Sequence, residues 1–120
     1  MRLIAQILVA LVALAHLWFL TLEMFLWTKP LGLRTFGQTL EKAQDSAVLA
    51  ANQGLYNGFL AAGLIFGLLY PEPRAGLHIQ IFFLVCVVAA GVYGGYSVSL
   101  KILAVQAGPA LLALVLLLLS

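Results

Sequence analysis

The stretch AVLAANQGLYNGFLAAGLIFGLLY, residues 47–70, decides how the chain is read. It is long enough to cross a hydrocarbon layer, which takes about 20 mainly apolar residues. Yet its first turns carry Asn52, Gln53, Tyr56 and Asn57. Polar side chains at such a depth are costly unless they meet one another or a ligand. The helix therefore implies both a membrane and a site within it.

The rest of the chain agrees with the membrane. Of 120 residues, 64% are hydrophobic and 8% charged, and the mean hydropathy is +1.12, far above that of soluble domains. Besides 47–70, apolar stretches of spanning length cover about 3–27, 77–100 and 102–119. The expectation is an all-α integral membrane four-helix bundle, residues 1–120 forming a single transmembrane domain. Arg2 before an apolar run, with Ala13, Leu14 and Ala15, has the outline of a secretory signal. The apolar run continues through Leu17, Trp18, Phe19 and Leu20 without a polar region, so the helix is expected to be retained.

Pro30 ends the first stretch, and Pro71 and Pro73 separate the second from the third, since proline lacks the N–H that continues a helix. In the long first loop Leu33, Phe36 and Leu40 recur at helical spacing between Arg34, Gln38, Glu41 and Lys42. That pattern predicts a short interfacial helix, acting as a lid or as a plain connector. The long-loop side carries Lys29, Arg34, Lys42 and Lys101 against Arg2 and Arg74 opposite, which places the loop in the cytoplasm. A net charge of +2 without a basic run gives no reason to expect nucleic acid as a partner. Cys86, the sole cysteine, excludes an intrachain disulfide and reads as a small buried apolar residue.

Depth counting brings further polar residues to the same half of the bilayer. At a rise of about 1.5 Å per residue from the long-loop side, Glu23 lies about 6 Å in and His16 about 16 Å. Asn52 and Gln53 come at about 9 Å, Tyr56 and Asn57 at about 15 Å, and Tyr96 and Tyr93 at about 6 and 10 Å, with Gln106 near that level. His16 and Glu23 are two turns apart on one stripe, and Gln53 and Asn57 stack four apart. All are expected to face the interior. Glu23 and Tyr93 are the candidate acid–base groups, Asn52, Gln53, Tyr56, Asn57, Tyr96 and Gln106 the ligand-binding ones, and His16 the candidate metal or haem ligand. The plainer readings are snorkelling for Glu23, a helix-tying hydrogen bond for His16, and belt or packing roles for Trp18, Trp27 and Tyr70. His78 falls on the opposite side and reads as interfacial.

Gly54 and Gly58, Gly91 and Gly95, and Gly63 and Gly67 each form G-x-x-x-G, which permits close backbone approach and suggests a homo-oligomer. Pro109 after Gly108 should kink the last helix and free the carbonyl of Val105.

The segments HLWFLTLEMFLW (16–27) and VLAANQGLYNGFLAAGLIFGLL (48–69) resemble the two signature stretches of a bacterial membrane family catalogued as domain of unknown function 1304. The resemblance extends over almost the whole chain and implies a small multi-pass protein of the bacterial inner (cytoplasmic) membrane. In architecture alone the chain is similar to the haem-dependent styrene oxide isomerases, which would make His16 an axial ligand, with Asn52, Asn57 or Tyr93 as polarising groups. It is also similar in size to the small multidrug transporters, with one carboxyl in the first helix. Three functions follow as expectations. The first is an enzyme, isomerase-like, acting on a small lipophilic molecule with haem or a metal ion at His16. The others are a proton-coupled carrier of small solutes using Glu23, and an accessory membrane subunit whose polar residues only specify helix pairing.

Overall fold

The computed structural model describes residues 1–97 and 99–120, and every regular element among them is helical. The order is α1 (Arg2–Met24), α2 (Pro30–Phe36), α3 (Leu40–Asp45), α4 (Ala47–Leu69), α5 (Pro73–Ser97), α6 (Leu100–Ile102), a π-helical segment (Leu103–Ala107) and α7 (Gly108–Leu119). Among the described residues three helices are long and apolar enough to cross a membrane: Arg2–Met24, Pro73–Ser97 and the continuous run Leu100–Leu119. α4 equals α1 in length. Its run of Asn52, Gln53, Tyr56 and Asn57 leaves its hydropathy short of theirs.

The helix ends differ from expectation for local reasons. α1 stops at Met24 rather than Trp27 because the carbonyl of Thr21 takes both the Phe25 and Leu26 amides. α5 begins at Pro73, four residues before the expected start. Proline suits the first helical turn, and the carboxylate of Glu72 caps the next amides, accepting from Arg74 N (3.0 Å) and Ala75 N (2.6 Å). These two bonds hold the Glu72 carboxyl below its usual range. At its other end, the expected helix over 77–100 includes Val98, which lies outside the described residues. The single loop helix becomes two, since Gly37 adopts φ +62°, which ends α2, and the Thr39 hydroxyl accepts from Lys42 N to start α3. Before Pro109 the helix widens into the π segment, where hydrogen bonds run one residue further than the α register.

By packing, the chain divides into two compact units, Met1–Ala13 with Leu60–Ser120, and Leu14–Phe59. The first holds a core of Ala5, Val9, Val12 and Ala13 from α1, Leu64 from α4, Leu84 and Val87 from α5, and Ala110, Ala113 and Leu117 from α7. Small residues let these helices approach closely. A Cβ at Gly91 would stand 2.6 Å from Ala107 N, and one at Gly95 2.6 Å from Leu103 Cβ. In the second unit the loop is pinned by Trp27, whose Nε1 donates to Ser46 Oγ at 3.2 Å and whose ring lies 4.8 Å from that of Phe36.

Candidate functional site

The second unit holds three of the sequence-predicted residues from α1 and α4, and in it two of them, Glu23 and Asn57, are joined. Asn57 Nδ2 donates to Glu23 Oε1, a side-chain bond between residues 34 apart in the chain and half-buried. Two turns back along α1, His16 is 1% exposed and packs edge-on against Phe19, ring centres 5.0 Å apart. The approach of the two helices depends on glycine. A Cβ on Gly54 would meet Met24 Cγ at 2.6 Å and Glu23 Cβ at 3.1 Å, and one on Gly58 would meet Leu20 Cδ1 at 2.7 Å. The short side of α4 thus sets Glu23 within reach of Asn57.

The inward face of α4 does not extend to the rest of its polar run. At about 100° per residue, Asn57 lies about 60° from Gly54 around the helix, Gln53 about 100°, and Asn52 and Tyr56 about 160°. Accordingly Asn52 and Gln53 are exposed, and Tyr56, 57% exposed, stacks edge-on against Phe59. The expectation that they face inward is corrected by this periodicity. The same geometry operates on α5 in the first unit, where Gly91, Gly94 and Gly95 face the last helix and Tyr93 and Tyr96 point away, 71% and 90% exposed. Gln106 sits half-buried in the π segment.

His16 is a poor seat for a haem, because an imidazole enclosed by its own chain presents no open side to a macrocycle. Among the described residues no group of three or more His, Cys, Asp or Glu gathers to hold a metal ion. The three G-x-x-x-G pairs are filled from within: Leu20 and Met24 lie against Gly54 and Gly58, Phe83 and Gln80 against Gly63 and Gly67, and Ala107 and Leu103 against Gly91 and Gly95. They supply no argument for a second copy.

A residue that the sequence reading passed over is Gln80 of α5, 3% exposed in the first unit. Its Nε2 donates to the carbonyl of Gly67 at 3.2 Å. In an α-helix that carbonyl would receive the amide of residue 71, which is proline and has none. The signal was available: a proline four residues after Gly67 requires a donor from elsewhere, and Gln80 is the one side-chain amide in α5.

Among the described residues the protein is all-helical, with three helices of membrane-spanning length and composition. It belongs to the family described as "Protein of unknown function (DUF1304)", whose profile matches residues 10–118. It is 33% identical over 117 residues to the "Uncharacterized protein YpaA" of Lactococcus lactis subsp. lactis (strain IL1403), covering 96% of this chain and 97% of the relative. No solved structure matches it.

Proposed function

We propose that the chain is a multi-pass protein of the bacterial cytoplasmic membrane, with α4 as its fourth span and the long loop on the cytoplasmic side. In this reading it carries small lipophilic cations, exchanging them for a proton at Glu23. The bond from Asn57 to Glu23 carries the proposal. A carboxyl held by a neutral amide can release its proton to water and accept a cationic solute in its place, without stranding a fixed positive partner in a low-dielectric setting. A carboxyl fixed by a lysine or arginine could not make that exchange freely.

Carriage is favoured over catalysis because Tyr93, the second acid–base candidate, is largely exposed, whereas Glu23 and Asn57 are drawn together. Outward on α4, Asn52 and Tyr56 are the groups that a second copy would cover in a homo-oligomer. The test is ethidium uptake into proteoliposomes under an imposed pH gradient. Glu23→Gln, which keeps an acceptor for Asn57 but cannot titrate, is expected to lower the initial rate at least about tenfold, the scale of losing a general acid–base group. Equal rates for Glu23→Gln and the unaltered protein would end the proposal.

A further inference from the structure

At the end of the first unit remote in sequence from Glu23, a part-open cavity of about 160 Å³ is lined by Arg2 and Gln6 of α1, Tyr70 after α4, Gly76 and Gln80 of α5 and Leu117 of α7. A dry cavity of about 150 Å³ takes a six-membered ring such as benzene, so this one admits a ligand group of comparable size. Its chemistry is not apolar.

Gln80 provides the first indication. Its Nε2 is committed to the Gly67 carbonyl that Pro71 leaves without a donor, and this fixes which way the amide is turned, because a flip would set two acceptor oxygens against each other. Its Oε1 is buried and has no hydrogen-bond partner among the described residues. A buried acceptor left unpaired forfeits the hydrogen bonds it had in water, so the position is costly unless a donor comes from outside the chain. Arg2 provides the second indication. Its Nε donates to Ser120 Oγ at 3.0 Å, leaving the two Nη groups, the pair suited to a planar or tetrahedral anion.

We propose that this cavity binds a small anionic group that also bears a hydroxyl, the anion meeting Arg2 and the hydroxyl donating to Gln80 Oε1. Gln6 and Tyr70, on facing elements, supply further polar atoms at the rim. Glycerophosphate chemistry fits that description, and it has two sources, a free metabolite or the headgroup of phosphatidylglycerol. The site is independent of the exchange proposed at Glu23 and stands or falls separately.

The experiment uses the full chain in two kinds of nanodisc. In phosphatidylcholine discs glycerol 3-phosphate is titrated by calorimetry. In mixed discs containing phosphatidylglycerol, native mass spectrometry reads which lipid stays with the protein. Saturable glycerol 3-phosphate binding identifies a free solute, and selective retention of phosphatidylglycerol alone identifies the lipid. In either case Arg2→Gln and Gln80→Leu are each expected to weaken binding about tenfold or more, since charge-assisted and buried hydrogen bonds are at stake. Should Gln80→Leu fold poorly because Gly67 loses its donor, Arg2→Gln decides alone, as it leaves that bond intact. The proposal is overturned if neither probe is held by the unaltered protein, which would mean that water alone satisfies Gln80. It is equally overturned if Arg2→Gln binds as the unaltered protein does.

Discussion

The crossing of α1 with α4 in the second unit and that of α4 with α5 in the first use the same parts for opposite ends. Each is a glycine contact with a side-chain amide beside it, Gly54 with Asn57 in one and Gly67 with Gln80 in the other. Asn57 gives its donor to a side chain that can change protonation. Gln80 gives its donor to a backbone carbonyl that never changes and keeps a buried acceptor open. An amide between helices is therefore not uniform glue. What it touches determines whether the contact is adjustable, as at Glu23, or fixed, as at Gln80.

The largest effect should come from filling the two glycine contacts. At Gly67 an added Cβ would meet Gln80 Cγ at 2.8 Å, Gln80 N at 3.0 Å and Gly76 O at 3.1 Å, two of the three being backbone atoms that cannot step aside. At Gly54 it would meet Met24 Cγ at 2.6 Å, Glu23 Cβ at 3.1 Å and Leu20 O at 3.2 Å, only one of the three being a backbone atom. Gly67→Ala is expected to cost about 2–3 kcal/mol and Gly54→Ala about 1–2 kcal/mol, each partly offset by better helix propensity. Thermal unfolding in detergent checks the order, and equal losses would erase the distinction between the crossings.

Next comes the proline account of Gln80. Gln80→Leu leaves the Gly67 carbonyl unpaired and should cost about 2 kcal/mol. In a Pro71→Ala background residue 71 regains an amide for that carbonyl, so the same substitution should cost about 1 kcal/mol less. A double-mutant cycle without coupling would show that Gln80 packs there for some other reason.

The smallest effect concerns the start of α5. The folded carboxyl of exposed Glu72 is held below its ordinary value of 4.5, so its contribution is fully present above that value and disappears as pH falls through the lowered one. Melting temperature should therefore fall slightly on acidification across this window, and Glu72→Gln should remove that part of the pH dependence.

The long helices α1, α5 and Leu100–Leu119 were legible because apolar runs set their length and prolines set their limits. Pro71-Glu72-Pro73 marks a separation between helices, and the same three residues also hold the start of α5, a carboxylate cap with proline behind it. Gly37, taken as part of one loop helix, ended it through its left-handed backbone. For the candidate site, depth set Asn57 (about 15 Å) level with His16 (about 16 Å) rather than with Glu23 (about 6 Å), whereas the fold bonds it to Glu23. Rotation about α4 then separated Asn57 from Asn52 and Tyr56, which depth alone cannot do. Gln80 was hidden because its purpose lies in a hydrogen bond that proline removes 13 residues away.

The core of the first unit also has a consequence in time. Ala5, Val9, Val12 and Ala13 of α1 share it with Ala110, Ala113 and Leu117 of α7. At about 5–20 residues per second of synthesis, the ribosome reaches α7 about 5–20 seconds after α1 has emerged. Through that interval Leu64, Leu84 and Val87 can already pack on α1, while the α7 side of this core stays open until α7 itself has been made.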